Sequence, residues 1–154
     1  MVDQQWTWQH MYLIPSRSGA GREVQQEILY ELKRQRWVPR DIFAIHLAME
    51  EALANAIKHG NRYNANKSVR VRCLMSPELV RIEVADEGVG FNVSQVPNPT
   101  DPDRIEAPSG RGIMLMRSFM SRVEFNALGN QVTMEKERSE AGEPLLGEGA
   151  VQEN

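Results

Sequence analysis

The stretch from Pro39 to Gly60 constrains the fold most, because its side chains sort into distinct rows when wound as a helix. Ile45, Met49, Leu53 and Ile57 recur every four residues as one apolar row, and Ala48, Ala52 and Ala56 form a second row of small side chains. Beside them runs a polar row of Glu51, Asn55 and His59. Pro39 opens the segment, as proline does at a first helical turn, and Gly60 closes it. Such a helix buries two adjoining faces and leaves a carboxylate and an amide at the rim of a core. An unpaired polar group costs about 1–3 kcal/mol there, so something polar must meet them.

The remaining patterns say what that helix packs on. Trp6, Trp8, His10 and Tyr12 alternate with Thr7, Gln9, Met11 and Leu13, the period of a strand. A turn follows Pro15 through Gly19-Ala20-Gly21, which needs no further role, and Val24, Ile28 and Leu32 then predict a helix to about Arg36. Val69, Val71, Cys73 and Met75 alternate with Arg70 and Arg72; after Ser76-Pro77-Glu78, Val80, Ile82 and Val84 alternate with Arg81 and Glu83. So short a connection predicts an antiparallel hairpin. The pattern disappears from Asn92 to Pro108, returns as a short apolar helix over Ile113 to Met120, and ends in two strands around the Gly129-Asn130 turn. The expected fold class is α+β: a two-layer α/β sandwich, with a mostly antiparallel mixed sheet carrying its helices on one face. Residues 1–138 make one domain, and the acidic stretch 139–154 is expected to be disordered.

Composition narrows the function. The net charge is −3, yet Glu140, Glu143, Glu148 and Glu153 lie in that tail without a balancing cation, which leaves the body at +1. There is no basic excess to grip nucleic acid directly. Cys73 is the single cysteine and shares the parity of Val69, Val71 and Met75, so it reads as a small hydrophobe in a reducing compartment. No apolar run approaches the roughly 18 residues of a membrane span and no signal segment is seen, so a cytoplasmic location with no membrane contact is expected. His10, His46 and His59 lie too far apart to suggest a zinc site.

Three segments carry chemistry. The parity of Val80, Ile82 and Val84 points Asp86 inward at the end of its strand, and Gly88 and Gly90 follow. A buried carboxylate needs donors, such as the exocyclic amine of a purine, and glycines let backbone approach a flat ligand. Ser109, Gly110, Arg111, Gly112 and Ile113 open the third helix, where free amides and an arginine suit phosphate. The third segment is the polar row itself. Each has a plainer reading when taken alone: a turn at Asp86, a hinge at Gly110, a capped surface stripe along the helix. The sequence contains neither a complete G-x-G-x-x-G fingerprint nor a P-loop.

Taken in order, Glu51-x-x-x-Asn55, Asp86-x-Gly88-x-Gly90 and Gly110-x-Gly112 resemble the N, G1 and G2 boxes of the GHKL (Bergerat-fold) ATPases. The phrases Glu-Ala-x-x-Asn-Ala-x-x-His-Gly and Gly-Arg-Gly-Ile-x-Leu-Met-Arg are most similar to the anti-sigma-factor serine kinases of that superfamily, over residues 5 to 138. The resemblance implies ATP and Mg²⁺ as cofactors, with Asn55 as the metal ligand, Glu51 as general base and Asp86 as the reader of adenine. It further implies that Gly88 and Gly90 shape the base pocket, that Ser109 to Ile113 cradle the phosphates, that Lys58 and His59 lie near them, and that Asn92 to Pro108 form a lid. The expected function is an ATP-dependent protein serine/threonine kinase and anti-sigma-type regulator. It would phosphorylate a small antagonist protein, sequester a sigma factor or similar regulator, and form a homodimer for which the aromatic first strand offers a surface. The rival is a non-enzymatic, nucleotide-gated binding module, which has no need of Glu51. A sensor histidine kinase is disfavoured because no phospho-acceptor helical hairpin is present.

Two departures stand out against the family pattern. Ser121-Arg122 replaces a common acidic pair, which bears on partner choice, and Asn130-Gln131 replaces a common threonine, which bears on adenine affinity.

Overall fold

The computed structural model describes residues 5–90 and 110–140. The chain runs β1 (Trp8–Pro15), α1 (Arg22–Arg34), α2 (Pro39–Ala54), a π-helical turn (Asn55–Gly60), β2 (Ser68–Met75), β3 (Leu79–Ala85), α3 (Gly110–Phe119), β4 (Arg122–Phe125) and β5 (Gln131–Glu137). The five strands form one sheet in the order β1-β2-β3-β5-β4. All of its pairings are antiparallel, so the expected fold class holds while the parallel component of a mixed sheet is absent among the described residues.

Register follows from the alternation. Cys73 stands opposite His10 on one side and Ile82 on the other, and Ile82 stands opposite Met134. These positions share the inner face, and Cys73, Ile82 and Met134 are fully buried. The helices cover that face with Ile28 and Leu32 from α1, Ile45 and Met49 from α2, and Met116 from α3. Phe43 and Phe119 meet edge to face across α2 and α3, with ring centroids 6.0 Å apart. Both apolar rows read from the sequence are buried: Met49 at 0% and Ala48 at 1% exposure are typical of them.

The helix expected to run unbroken to Gly60 changes pitch at Asn55. The amide of Asn61 donates to the carbonyl of Ala56, five residues back, at 2.8 Å, and the wider turn replaces the last α turn. The chain leaves it through Arg62 and Tyr63, both left-handed at φ 51° and 58°.

Two outer features bear on the tail and on the Ser121-Arg122 departure. Ser139, assigned to the tail, is held by Asp41: its amide and its hydroxyl donate to the two carboxylate oxygens at 2.8 and 2.7 Å. Asp41 is 0% exposed, so the ordered chain continues past Arg138 onto the start of α2. Ser121 and Arg122 are engaged within the sheet, where the Ser121 hydroxyl accepts from the Glu137 amide at 2.8 Å and the Arg122 guanidinium donates to Glu135 at 3.0 Å. Glu135, bonded first by Arg122 and then by Arg81, is held below the usual carboxylate range. Cys73 is buried in β2, and burial pushes its thiol well above the ordinary value.

Candidate functional site

A cavity of about 630 Å³ opens between the π-helical turn, the end of β3 and the β4–β5 hairpin, within the size range of small-molecule sites. Asn55 and His59 line it from the helix layer, Asp86, Gly88 and Gly90 from the loop after β3, and Phe125 and Val132 from the sheet. Residues from two of the three sequence segments therefore meet on one cavity.

The third segment meets the same helix. A Cβ built on Gly112 would lie 2.7 Å from Oε2 of Glu51 and 3.8 Å from Nδ2 of Asn55, so the first turn of α3 passes directly over both side chains. A side chain at Gly112 would displace the tip of the Glu51 carboxylate. The Asn55 Nδ2 atom is buried and has no hydrogen-bond partner among the described residues. A buried, unsatisfied amide at the rim of a cavity is the kind of group that a polar ligand completes.

The opposite end is closely braced. A Cβ on Gly60 would collide with the Asp86 carboxylate, and one on Gly88 would collide with the carbonyl of Gly60, so two backbones touch around that acid. The Gly88 amide donates to Asp86 Oδ1 at 2.8 Å, and the Asp86 amide donates to the Asn130 carbonyl at 2.9 Å. Gly90 sits at φ +83° with its Cα against the Leu128 carbonyl, a position only glycine fills without strain. Burial raises the pKa of Asp86 above the ordinary carboxylate value; the Gly88 amide and the charge of Lys67 pull in the other direction and do not win. A carboxyl with such a shift, aimed into a cleft, marks a functional-site candidate.

Some sequence-predicted residues fall elsewhere. Lys58 is exposed and lines a different recess, between α1 and α2 beside Gln25 and Glu50. One residue along a helix turns a side chain roughly 100° away, which carries Lys58 off the cavity that His59 lines. Ile113 sends its side chain into the core at 4% exposure, so only its backbone remains for a ligand. Arg111 is exposed on the first turn of α3, where the amides of Gly110 to Gly112 have no carbonyl within the helix to receive them. Ser109 and the segment Asn92 to Pro108 lie outside the described residues.

Other site residues were missed. Gly60 was read only as a helix terminator, although its lack of a side chain is what admits Asp86. Asn130 donates from Nδ2 to the Gly88 carbonyl at 3.3 Å, so this departure from the family pattern supports the base end of the cavity. Asn61, Lys67 and Phe125 also line it. A lone Gly or Asn after a helix is too common for its neighbours to be read in advance.

An antiparallel sheet backed by helices, with a cavity between a polar helix row and two glycine segments, is the architecture of an ATP-binding domain. The sequence pattern of the histidine kinase-like ATPase domain matches residues 14–136, and the chain belongs to that family. It is 33% identical over 86 residues to the anti-sigma F factor of Bacillus thuringiensis (strain Al Hakam), across 54% of this chain and 59% of that protein. The same figures hold for the anti-sigma F factor of Bacillus mycoides (strain KBAB4). The match thus spans 59% of the length of these curated relatives. A crystal structure of the RsbU and RsbW domains of Rv1364c from Mycobacterium tuberculosis superposes with a TM-score of 0.59 at 17% identity, over 86% of this chain and 32% of that one, a likeness of fold. The resemblance to the GHKL ATPases and their anti-sigma kinase branch therefore holds, and ATP is the ligand that the family implies. Among the described residues no helix is long and apolar enough to cross a membrane.

Proposed function

We propose that this domain is a Mg-ATP-dependent protein serine/threonine kinase of the anti-sigma type, which phosphorylates a small antagonist protein and, with nucleotide bound, captures a sigma factor or comparable regulator. One observation carries the reading: Gly112 lies against both the Glu51 carboxylate and the Asn55 amide nitrogen, which has no partner among the described residues, on the rim of the cavity that Asp86 enters from its other end. A pure nucleotide sensor has no use for a carboxylate beside the phosphates.

The donor set suits magnesium. Mg²⁺ takes an octahedron of hard oxygens and is usually held by one or two protein groups together with phosphates and waters, and the side-chain oxygen of Asn55, a residue that lines the cavity, would be such a group. When bound, the ion would neutralise charge on the transferring phosphoryl group. Asn55 would hold it. Asp86 would accept the adenine amine while Gly60, Gly88 and Gly90 let the ring lie against backbone. The amides of Gly110 to Gly112 and the Arg111 guanidinium would bind the phosphate oxygens. Glu51 would take the proton of the attacking serine hydroxyl as its oxygen bonds to the γ-phosphorus and the bond to the ADP oxygen breaks. Positioning and charge neutralisation account for most of phosphoryl transfer, and these groups supply both.

The relatives' name, anti-sigma F factor, supports a sigma factor as partner; the antagonist substrate and a homodimer belong to the proposal with it. The test is incubation of the protein with γ-labelled ATP, Mg²⁺ and antagonist-type proteins encoded beside it. Label appearing on a serine or threonine of one of them is the expected result. ATP-gated partner binding with no transfer to any of them would replace the kinase with a nucleotide-gated binding module.

A further inference from the structure

Asn61 is 1% exposed, and its amide joins three segments that are distant in sequence. Nδ2 donates to the Ser16 hydroxyl at 2.8 Å and to the Ser68 carbonyl at 2.9 Å, while Oδ1 accepts from the backbone amide of Glu87 at 2.7 Å. These partners follow β1, open β2 and follow β3. The backbone of Asn61 closes the π turn on Ala56, and the residue before it, Gly60, presses against the Asp86 carboxylate. The bonded Glu87 amide lies between Asp86 and Gly88, the two residues whose mutual hydrogen bond orients that carboxylate.

We propose that Asn61 is a positioning residue for base recognition: by holding the Glu87 amide, it sets the depth and angle at which Asp86 meets a purine, and so contributes to the choice of an amine-bearing base. The inference rests on the ATP-site reading above and deepens it. Hydrogen bonds weaken steeply with misalignment, and a recognition group has to be held within about 0.5 Å of its working place by the residues around it. The Asn61 amide is the side chain that fixes the peptide immediately after Asp86, and the anchors of that amide on Ser16 and Ser68 tie the fixation to the sheet. If Asn61 only stabilised the fold, its loss would weaken every nucleotide alike. A positioning role makes a different demand, namely that discrimination between bases fails.

The experiment compares affinities for ATP and for purine riboside triphosphate, which lacks the 6-amine, in the wild type, Asn61→Ser, Asn61→Asp and Ser16→Ala. The wild type is expected to prefer ATP roughly 10- to 100-fold, the worth of a hydrogen bond to a charged acceptor. A wild type that does not bind ATP, or an Asp86→Asn variant with the full preference, would overturn the ATP-site reading itself before Asn61 is at issue. In Asn61→Ser the hydroxyl is too short to reach both the strand and Glu87, and the preference should collapse toward unity while affinity for the analogue changes little. Ser16→Ala removes a buried partner of Asn61 but leaves the Glu87 bond, so it should lower the Tm without changing the ratio. Asn61→Asp keeps an acceptor for the Glu87 amide but turns a carboxylate oxygen toward the Ser68 carbonyl, so it should lower the Tm while retaining most of the preference; where it folds it also decides the matter should Asn61→Ser not fold. An unchanged ratio in folded Asn61→Ser, an equal loss of both ligands, or a collapsed ratio in Asn61→Asp would overturn the proposal.

Discussion

The two ends of the cavity are built on opposite terms. Around Asp86 every neighbour is committed: Gly88 and Asn130 bond it or its backbone, Gly60 abuts it, and Asn61 fixes the following peptide. Around Asn55 the buried amide nitrogen has no partner among the described residues, and the Glu51 carboxylate lies beside the bare Cα of Gly112. The difference teaches how such a site divides its labour. A rigid base end costs little to keep ready, because its polar groups satisfy one another. The reacting end must leave its polar groups unspent for the phosphates, and the fold carries that cost in the absence of a ligand.

The largest effect should come from the unspent end. Asn55→Ala is expected to remove Mg²⁺-dependent ATP binding and all transfer with it, whereas Glu51→Gln should bind ATP nearly as the wild type does and lose roughly 10²- to 10⁴-fold in single-turnover phosphorylation. Calorimetry and rapid-quench kinetics on both variants separate the roles. Wild-type transfer by Glu51→Gln, with chemistry limiting, would remove Glu51 from the mechanism.

Next comes one substitution made at both ends. In Gly88→Ala the new methyl meets the Gly60 carbonyl, which is backbone, and the variant should lose about 1–3 kcal/mol of stability together with ATP affinity. In Gly112→Ala the methyl meets the tip of a flexible glutamate, so the thermal midpoint should move little while transfer drops. Equal melting shifts in the two variants would erase the contrast between a braced end and an open one.

A smaller effect is pH dependence at the braced end. Because the pKa of Asp86 is raised in the folded protein, the acid favours folding at pH below its ordinary range. That contribution is lost as pH rises from its unfolded value through its folded one. Nucleotide that donates to the ionised carboxylate should pull the pKa back down. ATP affinity should therefore rise with pH across that window and a proton should be released on binding, as calorimetry in buffers of different ionisation enthalpy would register. Asp86→Asn should abolish the linkage.

The smallest effect belongs to the outer sheet face, where Arg81 and Arg122 flank Glu135. Arg122 is 41% exposed, which limits the pair to about 1 kcal/mol or less. Arg122→Ala should lower the melting temperature slightly and leave nucleotide binding unchanged. A loss of ATP affinity there would mean that the base end is braced through the sheet as well.

The sequence by itself determined the strands, the helices, the buried rows and the three motif segments of the site, because each rests on a short repeat or a local residue pattern that is complete within a few positions. The parity that turns Asp86 inward was legible, as was the face on which Glu51 and Asn55 share a row. The tertiary structure decided the rest. The π turn sets where Asn61 lies, and Lys58 turns toward α1 while His59 meets the cavity. Gly60 is required by an acid 26 positions away, and Asn61 finds its partners at Ser16, Ser68 and Glu87. Periodicity states which face of an element is buried. It does not state which residue of another element will stand opposite, because that depends on strand register, helix pitch and the distance of closest backbone approach, and these exist only once the whole chain has packed.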